Sequence, residues 1–185
     1  MLQQMKTAGG VSIEYQQQNL EYHQAIEPLL DKLDSHRGAL FASSFEYPGR
    51  YTCWDIGFYN PPLVITCIGS KIYLEALNKR GEILLAMILP ILAASVDLQI
   101  VESNATGCQV QVKRSEKMFS EEERSHQPSV FTVLRLLLAF FKSDEEPYLG
   151  LYGAFGYDLI FQFEAIQKNN QRAASQRDMV LYLPD

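Results

Sequence analysis

Leu63–Leu77, LVITCIGSKIYLEAL, sets the fold class of this chain. Leu63–Ile68 is a short run of apolar and β-branched residues, the composition of a buried strand. Lys71–Leu77 resumes as a second strand. The two-residue Gly69-Ser70 link between them marks a tight hairpin. Downstream, Asn78–Gly81 (NKRG) reads as a turn, and Glu82–Ala94 as a helix. Asp97–Glu102 and Cys108–Lys113 form a second hairpin through Ser103–Gly107. Ser115–Gln127, with its three consecutive glutamates, is a solvated connector. Ser129 can cap a helix over Val130–Phe141 whose apolar residues cover most of its circumference, which implies deep burial. Leu149–Tyr157 is a glycine-punctuated strand, Asp158–Phe163 turns helical, and Met179–Leu183 closes the chain as a strand. Upstream, Asn60-Pro61-Pro62 breaks a polar-aromatic strand over Tyr51–Tyr59. Pro48-Gly49 turns the chain before it, and Ala39–Phe45 is the strand preceding that turn. Glu21–Leu33 carries Tyr22, Ile26, Leu29, Leu30 and Leu33 at helical spacing, with Pro28 expected to disturb it or to sit in its first turn. Met1–Gln18 reads as a loose, flexible arm before a single domain over residues 19–185. Antiparallel hairpins with few helices, and no regular strand–helix–strand alternation, make the chain α+β: layered antiparallel β-sheets with flanking helices.

Composition narrows the function classes. The 185 residues are enough for one domain with a sizeable core. The formal net charge of −6, with no basic run, argues against nonspecific nucleic-acid binding. Cys53, Cys67 and Cys108 are widely spaced and odd in number, which fits reduced thiols in a cytoplasmic protein. Met1–Gly10 lacks the apolar stretch of a signal peptide. Ile83–Ala94 is the most apolar window, but it is too short to span a bilayer and holds Pro90.

Catalytic chemistry is sparse. His23, His36 and His126 stand away from any nucleophile motif. Gly150, Gly153 and Gly156 are spaced by three, unlike a phosphate-binding loop, and suit a strand approached closely by another backbone. Arg50, between Tyr47 and Tyr51, could grip a carboxylate or stack on its neighbours. Trp54-Asp55 reads as a core anchor. Leu40–Ser44, LFASS, is a small-residue stretch behind apolar neighbours, more a pocket wall than a reaction centre. Alternation sends Ser43 and Ser44 to opposite faces. The inward hydroxyl needs a partner, either backbone or the polar end of a ligand.

Leu40–Asp55 (LFASSFEYPGRYTCWD) and Asn60–Ile65 (NPPLVI) resemble the N-terminal domain of anthranilate synthase component I. The likeness is closest to the form in which synthase and glutamine amidotransferase are fused. Gly81–Leu85, Leu151–Glu164 (LYGAFGYDLIFQFE) and Gln176–Asp185 (QRDMVLYLPD) fit the same pattern, so the resemblance runs from about Gly10 to Asp185. It implies a lyase that converts chorismate, with glutamine or ammonia, to anthranilate and pyruvate at the first step of tryptophan biosynthesis. Mg2+ and chorismate belong to a separate catalytic domain, expected to be absent here, and the amidotransferase carries its own machinery. The resemblance therefore assigns this chain no catalytic residue, no metal and no cofactor. It implies instead a regulatory domain supplying part of a tryptophan feedback site at Leu40, Phe41, Ala42, Ser43 and Ser44. Leu40 and Phe41 match the apolar positions and Ser43 the serine, while Ala42 replaces the family's acidic residue. L-Tryptophan is then expected as a weak ligand, and the catalytic domain and amidotransferase as partners. Two other readings stand: the corresponding domain of an aminodeoxychorismate synthase, and a freestanding binding or assembly module without activity.

Overall fold

The computed structural model describes residues 2–42, 55–113, 127–164, 169 and 173–185. Ten strands and three α-helices are formed among them. They run β1 (Gln3–Lys6), β2 (Ser12–Tyr15), α1 (Tyr22–Leu33), β3 (Gly38–Ala42), β4 (Asp55–Tyr59), β5 (Leu63–Ile68), β6 (Lys71–Ala76) and α2 (Lys79–Ala94). Then come β7 (Leu98–Ser103), β8 (Gly107–Val112), α3 (Val130–Phe141), β9 (Tyr152–Phe155), a 3-10 helix over Tyr157–Gln162, and β10 (Met179–Leu183). The fold is α+β with antiparallel sheets, as its sequence implies.

The hairpin at Gly69-Ser70 is the centre of the molecule. Ile68 pairs with Lys71, so the turn is two residues long. Gly69 takes a φ of 59°, the positive value that the first position of a tight hairpin turn requires. Around β5 and β6 grows a six-stranded sheet in the order β7-β8-β6-β5-β10-β9, antiparallel at every described pairing. A register shift between Ile100 and Glu102 bulges β7 at the sheet edge.

One face of this sheet carries the core. Ile65 and Cys67 of β5, Ile72 and Leu74 of β6, Val110 of β8 and Leu181 of β10 are buried there. Leu85, Ile88 and Leu92 of α2 cover them, together with Val133, Leu134 and Leu137 of α3. The opposite face meets a second layer, the two-stranded sheet β3-β4. Phe41 and Phe58 reach from that layer to Tyr152 on β9 and Tyr182 on β10, with ring centroids 5.9 to 6.4 Å apart across the interface. These tilted contacts seal the layers. Helix α1 lies on the far side of β3-β4, and none of its residues is fully buried.

Three local expectations change. The N-terminal segment is no loose arm: β1 and β2 form a hairpin in register Gln3 to Tyr15. Met5, Thr7 and Val11 are buried, and the backbone amides of Ala8 and Gly9 donate to the carbonyls of Lys142 and Phe140. A polar surface strand hid this, since its few apolar residues are spent against the end of α3. Helix α2 begins at Lys79, inside the expected turn, because the Asn78 side chain caps it by accepting from Gly81 N at 3.1 Å. Pro28 and Pro90 sit inside intact helices. Each removes an amide donor from the carbonyl four residues earlier, at Gln24 and Ala86, and both those residues are exposed to water. The turn at Pro48-Gly49 and most of the connector Ser115–Gln127 lie outside the described residues. No described helix is long and apolar enough to cross a membrane.

Candidate functional site

Strand β3 carries the residues singled out above, and its pairing decides where they point. Leu40 pairs with Gly57, Phe41 with Ile56, and Ala42 with Asp55. Side chains of neighbouring residues on a strand leave opposite faces. Phe41 goes inward, 6.4 Å from the Tyr152 ring. Leu40 goes outward, into a cleft beneath α1. The two apolar residues expected to form one wall therefore serve different surfaces. Ala42 is exposed at the end of the strand. Ser43, Ser44, Arg50 and Trp54 lie outside the described residues.

The cleft between α1 and the β3-β4 layer has a volume of about 1020 Å³. Ala25, Ile26 and Leu29 line it from α1, and Leu40 and Gly57 line it from the sheet. Gly57 lets the helix come close: a Cβ there would collide with the Leu29 side chain. Asp55 stands at one side, where the Tyr22 hydroxyl donates to its Oδ2. That bond raises the Tyr22 phenol above its usual value, because the carboxylate favours the protonated, donating form. At the other side Arg80 makes a 2.8 Å ion pair with Asp185 and donates to the Asn60 carbonyl at 3.3 Å. Burial raises the Asp185 carboxyl, and Arg80 pulls it back.

Tyr22, Asp55, Arg80 and Asp185 were not singled out together by their sequence context. Asp55 reads there as part of a core anchor, and Arg80 as a turn residue. Only the cross-strand register and the return of β10 beside β5 bring them to one cleft.

The remaining candidates have structural roles. A Cβ at Gly153 would collide with the carbonyl of Val180 on β10 and one at Gly156 would press on the Asp178 carbonyl, so these two glycines serve close backbone packing, whereas a Cβ at Gly150 would meet only the Tyr152 side chain. Burial pushes the Cys67 thiol up to about 12 and the Cys108 thiol to about 11, well away from nucleophile chemistry. His36 stands 2.8 Å from Ser35 Oγ and edge-on to Tyr59. Among the described residues no three His, Cys, Asp or Glu side chains converge to offer a metal site.

No protein-family model matches the chain. Similarity to individual proteins is extensive. The chain is 42% identical to an anthranilate synthase of Azospirillum brasilense over 183 residues, 97% of its own length. This chain is similar to part of an anthranilate synthase. The alignment spans 24% of the Azospirillum protein, so the likeness is to about a quarter of that enzyme. A second relative, anthranilate synthase component 1 of Buchnera aphidicola subsp. Diuraphis noxia, is 28% identical over 100 residues, covering 53% of this chain and 19% of the relative. The anthranilate synthase likeness covers both layers and the cleft, since it leaves out almost none of the sequence. It is consistent with an N-terminal domain of component I.

Proposed function

We propose that residues 1–185 act as the N-terminal, non-catalytic domain of an anthranilate synthase and contribute part of a tryptophan feedback site. The observation that carries this reading is the identity over 97% of the chain to a quarter of the Azospirillum enzyme. The chemistry of the buried thiols agrees with it. The buried Cys67 and Cys108 thiols are too weakly acidic to act as nucleophiles near neutral pH. A ligand site on β3 would lie on a strand whose two faces bear on different layers, so occupancy there could bias how the layers sit without touching any reacting atom.

In this reading the partners are a chorismate-binding catalytic domain, which uses Mg2+, and a glutamine amidotransferase. Phe155 and Tyr157, exposed at the β9 edge of the large sheet, offer apolar surface for such a neighbour. The test is direct. Purified chain is incubated with chorismate, Mg2+ and ammonium, and anthranilate fluorescence is followed. No signal above the uncatalysed background is expected, and fluorescence growing in proportion to added protein would overturn the non-catalytic assignment.

A further inference from the structure

Helix α2 has a composition that its surroundings do not satisfy. From Ile83 to Ala94 (ILLAMILPILAA) it carries no polar side chain, the make-up of a helix buried on every side. Leu85, Ile88 and Leu92 do face the core. Ile83, Ala86, Pro90 and Ala93 lie along the opposite side and are exposed, Ile83 by 64%. The helix packs over β6 and β7, at the other end of the sheet from β9. A neighbour seated on Phe155 and Tyr157 therefore leaves this apolar face open to water.

The chemistry of the face fits a second copy of this chain. It holds no ionisable group, and the chain has a formal net charge of −6, so two acidic copies can meet here with little like-charge repulsion. The face is also self-complementary. When two α2 helices lie antiparallel about a two-fold axis midway between Ala86 and Pro90, the bulky Ile83 of each copy falls on the small Ala93 of the other. The same axis carries Lys79, exposed at the start of α2, toward Asp97 of the other copy, just beyond the end of its helix. Opposite charges then flank the apolar seam. The apolar run is about 18 Å long. A seam of that length falls well short of the ~800 Å² per partner that a stable complex buries, so it suits weak, reversible self-association better than a permanent partner.

We propose that two copies of this chain associate through the outer face of α2, antiparallel, with Ile83 of each copy over Ala93 of the other. The inference is independent of the tryptophan reading, since it needs neither a ligand nor a catalytic neighbour.

Sedimentation velocity of the full chain between about 10 µM and about 1 mM is the test. Wild type is expected to pass from monomer toward dimer across that range. Ile83→Lys and Ala93→Glu should each keep the chain monomeric, because a lone charge in the seam loses its water without gaining a partner. An equimolar mixture of the two variants should associate at least about tenfold more tightly than either alone, because the antiparallel seam sets the introduced cation against the introduced carboxylate. Wild type that stays monomeric throughout, association that Ile83→Lys leaves unchanged, or a mixture no stronger than its components would each overturn the proposal. Both positions are exposed, so both variants should keep the wild-type circular dichroism. Should Ala93→Glu lose it, the contrast between wild type and Ile83→Lys decides alone.

Discussion

A single backbone contact explains why Gly153 is glycine. Its Cα hydrogen faces the carbonyl of Val180 on the neighbouring strand, and a methyl group there has no room to move into. Gly153→Ala should therefore cost about 1–3 kcal/mol, the usual penalty of overpacking, and shift the urea midpoint downward without changing the slope. A midpoint equal to wild type would show that β9 can slide off β10 at little cost. Ser43 belongs to the same scale, although it lies outside the described residues. If it holds tryptophan, Ser43→Phe in a chain that also bears the catalytic segment should abolish tryptophan inhibition and leave the uninhibited rate intact. Inhibition that persists unchanged removes Ser43 from the site.

The elements differ sharply in how they are held. Strand β5 is paired on both edges and buried on its core face, where Ile65 and Cys67 have no exposed surface. Helix α1 has no buried residue, and Tyr22 and Leu30 on it are exposed. Its described contacts with the β3-β4 layer include Leu29 over Gly57, Leu33 against Gly38 and the Tyr22–Asp55 bond. Native-state hydrogen exchange should accordingly show α1 opening at a lower free energy than β5 or α3. Equal protection would mean that α1 unfolds only with the whole domain. The elements were unevenly legible in the sequence for the same reason. Leu63–Ile68, Val130–Phe141 and Met179–Leu183 keep the bounds read from their apolar runs, because burial on a broad face writes a dense pattern. The β1-β2 hairpin buries only Met5, Thr7 and Val11, and so few residues leave no period to read.

For the whole molecule, the two buried thiols tie stability to alkaline pH. Their ionisation in the folded state is pushed up from 9.0 to about 12 and about 11 by burial. Above about pH 9 the unfolded chain loses these protons while the native protein keeps them, so the unfolded state is favoured as pH rises. Their contribution is complete below the unfolded ionisation and is lost progressively on the way to pH 11 or 12. Urea midpoints should fall between pH 8 and pH 10, and Cys67→Ala,Cys108→Ala should show a shallower fall. A fall of the same steepness in that variant would assign the alkaline sensitivity to other groups. By itself the sequence determined the α+β class, the central hairpin and the likeness to part of an anthranilate synthase, since turn chemistry, apolar runs and residue identity are local and linear. Tertiary structure alone decided that Leu40 and Phe41 serve different layers, that Asp55 stands across from Ala42, and that Arg80 meets Asp185. Those relations depend on strand register and on which strands become neighbours, and chain order specifies neither until the layers pack.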